Sequence, residues 1–133
     1  MVEVVLDSDV IIDWLRDERR ASRLQNLVSQ PTKYSFYITS VSQFELLVGG
    51  YATNTASKII DQLTSFDILN FDYKAADIAA KFYASLRKKG ETPPLKDLFI
   101  ASICLSFDLP LVTRNKKDFV RFKGLDIMDL EKI

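Results

Sequence analysis

The sequence predicts an α/β fold built on a mainly parallel sheet with helices on both faces. Three observations carry this. β-prone apolar runs alternate with stretches of helical periodicity along the whole chain. The first run, Val4-Val5-Leu6, is uniformly apolar, as a strand buried on two sides should be. No repeat, linker or low-complexity segment interrupts the 133 residues, so residues 1–133 form a single domain with room for a real core.

Glu3 to Leu6 is the first strand. Val10 to Arg16 reads as a short helix, and Glu18 to Val28 as a second with Leu24, Leu27 and Val28 on one face. Gln30 to Lys33 is a loop, and the aromatic Tyr34 to Ile38 a strand. Thr39-Ser40 opens a helix, with Ser40 and Gln43 at capping-box spacing and Gly49-Gly50 as its end or kink. Asn54 to Phe66 is helical and Ile68 to Phe71 a short strand. Tyr73 to Lys89 is the longest helical pattern, stopped by Gly90. After the Glu91–Pro94 loop, Leu95 to Phe107 is an apolar helix. Leu109 to Thr113 is a strand, Asn115 to Phe122 a short helix, and Leu125 to Leu130 the last strand.

Composition removes several chemistries. The chain has no histidine, which excludes Ser-His-Asp and Cys-His catalysis and histidine acid–base work. Its single cysteine, Cys104, sits in an apolar helical pattern and reads as a buried small hydrophobe. Any metal must therefore be held by oxygen. No basic–apolar–small leader pattern and no membrane-length apolar run is present, so the expected location is the cytoplasm. Eighteen basic residues balance eighteen acidic ones. Between Lys81 and Lys123, however, ten bases face four acids, leaving a net charge of 10 − 4 = +6. That window suits either a phosphate-binding surface or solvated helix faces.

Four acidic residues stand apart from the surface charge. Asp7 ends the first strand, where ligands of parallel sheets gather. It could cap the next helix, but Ser8 or Asp9 can do so instead and leave Asp7 for other work. Glu45 lies in Phe44-Glu45-Leu46-Leu47-Val48, a helix expected to be buried on much of its circumference. No base lies within one turn of it. Asp97 and Asp118 sit in first helical turns, where the helix dipole alone would account for either. Together, each lies in or just before a helix that follows a strand or loop. Clustered carboxylates repel unless a cation sits among them, and oxygen donors favour Mg²⁺ or Mn²⁺.

At these residues the chain resembles the PIN-domain ribonucleases, in particular the VapC-type toxins of toxin–antitoxin pairs. The motifs are Leu6-Asp7-Ser8-Asp9-Val10, Ser42-Gln43-Phe44-Glu45-Leu46, Lys96-Asp97-Leu98-Phe99-Ile100-Ala101 and Val112-Thr113-Arg114-Asn115-Lys116-Lys117-Asp118-Phe119. The resemblance implies a three-layer α/β/α sandwich. It implies an acidic pocket of Asp7, Glu45, Asp97 and Asp118 holding one or two Mg²⁺ or Mn²⁺ ions, with Thr113 and Asn115 beside it. It further implies endonucleolytic RNA cleavage by a metal-activated water, a cognate VapB-type antitoxin whose tail covers the site, and a homodimer. Lys96, Arg114, Lys116 and Lys117, in or beside the motifs, are the expected RNA contacts. Asp9 departs from the Asn or Ser of many relatives. It is read here as the helix cap, with a contact to the metal as the alternative.

Three rival readings remain. Asp7-Ser8-Asp9 also resembles the Asp-x-Asp of haloacid-dehalogenase-type phosphatases, which would leave Glu45 without a role. A receiver-type signalling module would phosphorylate an Asp after its third strand, here Asp72, and would leave Glu45 and Asp97 unexplained. A PIN-like module could also bind RNA or protein without cutting.

Overall fold

Val4, Val5 and Leu6 have no solvent exposure, and they alternate in direction as strand residues must. Val4 and Leu6 enter one apolar cluster and Val5 enters the other. This strand is the centre of the fold. The computed structural model of the chain describes residues 1–16 and 22–133. Its sheet comprises β1 (Val2–Leu6), β2 (Tyr34–Thr39), β3 (Asp67–Leu69), β4 (Leu111–Val112) and β5 (Ile127–Met128) in the order β3-β2-β1-β4-β5. Every neighbouring pair is parallel.

The helices form the outer layers. α1 (Ser8–Leu15), α2 (Ser22–Val28), α3 (Ser40–Ala52) and α4 (Ala56–Leu63) pack Ile11, Leu24, Leu27, Leu46 and Leu63 against Phe36, Ile38 and Leu6. On the other face α5 (Tyr73–Lys88), α6 (Leu95–Phe107) and the short α7 (Lys116–Phe119) bring Ala75, Ala79, Leu86, Ile100, Ile103 and Phe119 onto Val5 and Leu111. A 3-10 turn, Leu130–Lys132, closes the chain. The result is the α/β/α sandwich expected from the sequence. Cys104 is buried among these residues, and burial pushes its thiol pKa up, so it behaves as a hydrophobe. Among the described residues no helix is long and apolar enough to cross a membrane.

Strand order places the site. From β1 the chain steps outward through β2 to β3, then returns to lay β4 on the other side of β1. The order reverses between β1 and β4, and crevices of parallel sheets open at such points beyond the carboxyl ends. Asp7 follows β1 and Thr113 follows β4, so these two residues flank the reversal.

Several elements differ in extent from their sequence reading. α4, β3, β4, α7 and β5 are all shorter than expected. The expected helix from Glu18 lies partly outside the described residues, and its described part is α2. The anticipated Ser40–Gln43 capping box does not form. Thr39 is the cap instead, its hydroxyl accepting the Ser42 N–H at 3.0 Å, while Ser40 Oγ accepts the Phe71 N–H at 3.1 Å. Gly90 does stop α5. With φ at +77° it lets the Glu91 N–H reach Leu86 O (2.9 Å) and its own N–H reach Arg87 O (3.0 Å), a Schellman pair.

Gly49-Gly50 does not end α3, which runs on to Ala52. Gly50 serves packing. A Cβ there would stand 2.8 Å from Ile59 Cδ1 and 3.0 Å from the Ala56 Cα, where α4 begins. Gly49 has nothing within 4 Å of the same position. Gly50→Ala should therefore destabilise the protein by about 1–3 kcal/mol through overpacking. Gly49→Ala should stabilise it by up to about 1 kcal/mol through helix propensity. Urea unfolding of the two variants would check the opposite signs.

Candidate active site

Asp7 is the buried acid of the crevice, 6% exposed. Its two oxygens are both engaged. Oδ1 accepts the Ser8 N–H at 2.8 Å, and Oδ2 accepts the Thr113 hydroxyl at 2.8 Å. Asp7 is thus itself the N-cap of α1, which corrects the expectation that Ser8 or Asp9 would cap and leave Asp7 free for other work. The reason is geometric. The helix begins at Ser8, two residues earlier than expected, so Ser8 and Asp9 already lie in its first turn and their side chains reach other elements.

Each of those two residues holds a neighbour. Ser8 Oγ lies 2.9 Å from Glu45 Oε1 and 2.9 Å from Ser42 Oγ, which in turn lies 3.3 Å from Thr39 Oγ1. A row of buried hydroxyls so runs from β2 to the Glu45 carboxylate. Asp9 Oδ2 accepts the Arg114 N–H (3.1 Å) and the Asn115 side-chain amide (3.3 Å), while its Oδ1 is buried without a hydrogen bond. Asp9 therefore ties α1 to the loop after β4. The Arg114 guanidinium pairs with the buried Asp13 of α1. Asn115 donates its backbone N–H to Thr113 Oγ1 at 3.0 Å, which fixes the hydroxyl that contacts Asp7.

The other acids arrive from separate segments. Glu45, from α3, is half-buried, and Lys96 Nζ lies 3.0 Å from its Oε2. Lys96 comes from the start of α6, 51 residues away, so nothing near Glu45 in sequence hinted at it. Asp97 follows Lys96 in the first turn of α6, and Asp118 lies in α7. The surroundings of α3 differ from expectation. Phe44, Val48 and Tyr51 are 61%, 54% and 71% exposed and form an apolar stripe beside Glu45. Sequence periodicity could not separate this stripe from core, because apolar residues on every face look alike before packing is known.

Electrostatics links the four acids. Burial, with the nearby Asp9 charge and more weakly that of Asp97, pushes the Asp7 pKa up to about 7 against the Thr113 and Ser8 hydrogen bonds. Burial first, then Asp118 and Glu45, raises Asp97. Burial also raises Asp9. The donor set is entirely oxygen, which suits a hard divalent cation. Among the described residues no three such side chains stand as a ready metal-binding group. The fit is with an ion that takes one or two direct carboxylates and keeps water elsewhere.

The receiver-like alternative finds no support in this geometry. Asp72 caps α5, its carboxylate accepting the Ala75 N–H at 3.0 Å, and it follows the edge strand β3. Receiver sheets run in the order 2-1-3-4-5, with the third strand inside.

A family model described as the PIN domain matches residues 4–125. The chain belongs to the PIN domain family. Its similarity to curated members covers most of their length. It is 36% identical over 102 residues to Ribonuclease VapC3 of Methanocaldococcus jannaschii, spanning 77% of this chain and 98% of that protein. It is 26% identical over 133 residues to the tRNA(fMet)-specific endonuclease VapC of Shigella flexneri, spanning 97% and 98%. The fold superposes on DNA-bound VapBC from Salmonella typhimurium with a TM-score of 0.83 at 23% identity, covering 98% of this chain and 99% of that one. Within this PIN domain, the sequence motifs had singled out the acids, Thr113 and Asn115. They had not singled out the hydroxyl row through Ser42 or the clamp of Arg114 on Asp13, whose only sequence signal was a hydroxyl or acid on a helix face turned toward the sheet.

The raised Asp7 pKa fixes the sign of a pH effect. The unfolded carboxyl titrates near 3.8 and the folded one near 7, so the folded state binds more protons between them. Stability conferred by neutral Asp7 is thus full below about pH 4 and lost as pH rises through about 7. In chelator, Asp7→Asn should gain stability over the wild type across that interval, by on the order of a few kcal/mol. Melting curves of both proteins from pH 4 to 8 would check this.

Proposed function

We propose that this PIN domain is an endoribonuclease dependent on Mg²⁺ or Mn²⁺, and the toxin of a type II toxin–antitoxin pair. The observation that carries the reading is the Asp7 carboxyl, buried at the strand reversal with a pKa near 7 and crowded by other acids. Such a group is poised to exchange a proton for a cation. The names of its relatives, ribonuclease and tRNA endonuclease, supply the substrate class.

Asp7, Glu45, Asp97 and Asp118 would hold the ion. When bound it supplies charge neutralisation at a phosphodiester and makes water acidic enough to attack at neutral pH. The chain's own groups prepare the site. Thr113 keeps Asp7 Oδ2 turned to the crevice, Ser8 fixes Glu45 Oε1, and Asn115 sets the Thr113 hydroxyl. The exposed Lys116 and Lys117 in α7 would meet the RNA backbone. Arg114 contributes differently, since its guanidinium is engaged by Asp13 and anchors the loop that carries Thr113 and Asn115.

A protein partner fits the apolar stripe of Phe44, Val48 and Tyr51. Solvent-exposed apolar residues grouped beside a reactive site mark a surface that another chain covers. A VapB-type antitoxin is the proposed occupant, as the VapBC complexes among the structural neighbours suggest, and a homodimer is the proposed assembly. The proposed setting is the cytoplasm, where RNA is met.

Asp7→Asn, Glu45→Gln and Asp97→Asn should each lower cleavage of mixed RNA by more than the ~10- to 100-fold typical of groups outside the ligand set. All three should keep the native far-UV spectrum. Normal cleavage by any two of them would overturn the four-acid site. Chelator should stop wild-type cleavage and Mg²⁺ restore it. RNA affinity should fall steeply from 50 to 200 mM salt if the basic window binds phosphates, as each phosphate contact contributes about −0.7 to the log–log slope on single strands.

A further inference from the structure

Lys96 occupies a position that fold stability does not explain. It is the second residue of α6, where the helix dipole disfavours a positive charge. Its side chain is 59% exposed, so the pair it makes with Glu45 is of the weak, solvent-screened kind. Yet that pair joins the two elements that carry Glu45 and Asp97. Glu45 has one oxygen on Ser8 and the other on Lys96. A cation that binds Glu45 through Oε2 would compete with the ammonium for that oxygen. The Lys96 side chain is then left, still charged, on a flexible stem at the mouth of the crevice. A lysine ammonium stays protonated at neutral pH with or without an acidic partner.

We propose that Lys96 is a tethered counter-ion of Glu45 that holds this carboxylate in the metal-free protein, gives way to a divalent cation, and then contacts the phosphodiester of the bound RNA. Lys96 is in this sense a positioning residue that exchanges between two anions. The inference rests on the reading of the four acids as a cation site. It adds a competition that the acids alone would not produce, because part of the metal's binding energy goes into displacing a charge that belongs to the chain.

The test uses Mn²⁺ titrated calorimetrically into the purified full chain, as wild type, Lys96→Met and Lys96→Arg, with Asp97→Asn as control. Lys96→Met should bind Mn²⁺ about three- to tenfold more tightly at low salt, since a competing unit charge has gone. The advantage should shrink as NaCl is raised, and Lys96→Arg should return the affinity towards wild type. In the presence of Ca²⁺, the Met variant should bind a short synthetic RNA more weakly than wild type, and in chelator the two should bind it alike. A purely structural role would loosen Mn²⁺ binding on removal of Lys96, never tighten it. Equal or weaker Mn²⁺ affinity in a folded Lys96→Met protein overturns the inference while leaving the cation site intact. Absence of Mn²⁺ binding by the wild type, with Asp97→Asn indistinguishable from it, overturns both this inference and the metal-dependent reading beneath it.

Discussion

A buried side-chain hydrogen bond spans the strand reversal: the Thr113 hydroxyl donates to Asp7 Oδ2 across 106 residues of sequence. It fixes the two residues that flank the reversal. β1 and β4 are held in register as Val5 with Leu111 and Leu6 with Val112, and this bond continues the pairing one step past the strand ends. Both groups are almost fully buried, so the bond is made in a medium of low polarity where an unpaired partner would be costly. It also bears on the chemistry, since the carboxylate it steadies is the most buried of the four acids.

Around that bond the first helix acts as a distributor. Three consecutive residues at its start reach three different elements. Asp7 holds β4 through Thr113, Ser8 holds α3 through Glu45, and Asp9 holds the loop entering α7. Arg114 adds a second fastening further along α1 at Asp13. A short helix of eight residues is marginal alone. Here it is fixed by what it grips, and the acids of the crevice inherit their positions from that grip.

The alternating strands and helices and the parallel sheet were legible from pattern alone, because apolar period is a local signal, whereas the grouping of the four acids into one pocket was what the family resemblance implied. What stayed hidden was non-local. The Lys96 partner of Glu45 and the Asp13 partner of Arg114 lie about fifty and about a hundred residues away, and no periodicity reports such pairs. The cap of α1 was misread because Asp7, Ser8 and Asp9 are all good caps. Only the point at which the backbone turns helical decides among them. The role of Gly50 was misread for a related reason. A glycine that admits a neighbouring backbone looks, in sequence, like one that ends a helix.

The separation of the site's parts along the chain has a kinetic meaning. Asp7 meets Glu45 through Ser8 early in the sequence, within β1, α1 and α3, but Thr113 and Asp118 enter only when β4 and α7 have joined the sheet. Parallel pairings of such span close late, after loop entropy has been overcome. A nascent or partly folded chain therefore carries its reactive acids unassembled. The crevice is complete only once β4 and α7 have joined the sheet, so its assembly reports the closure of the whole fold rather than of any one part.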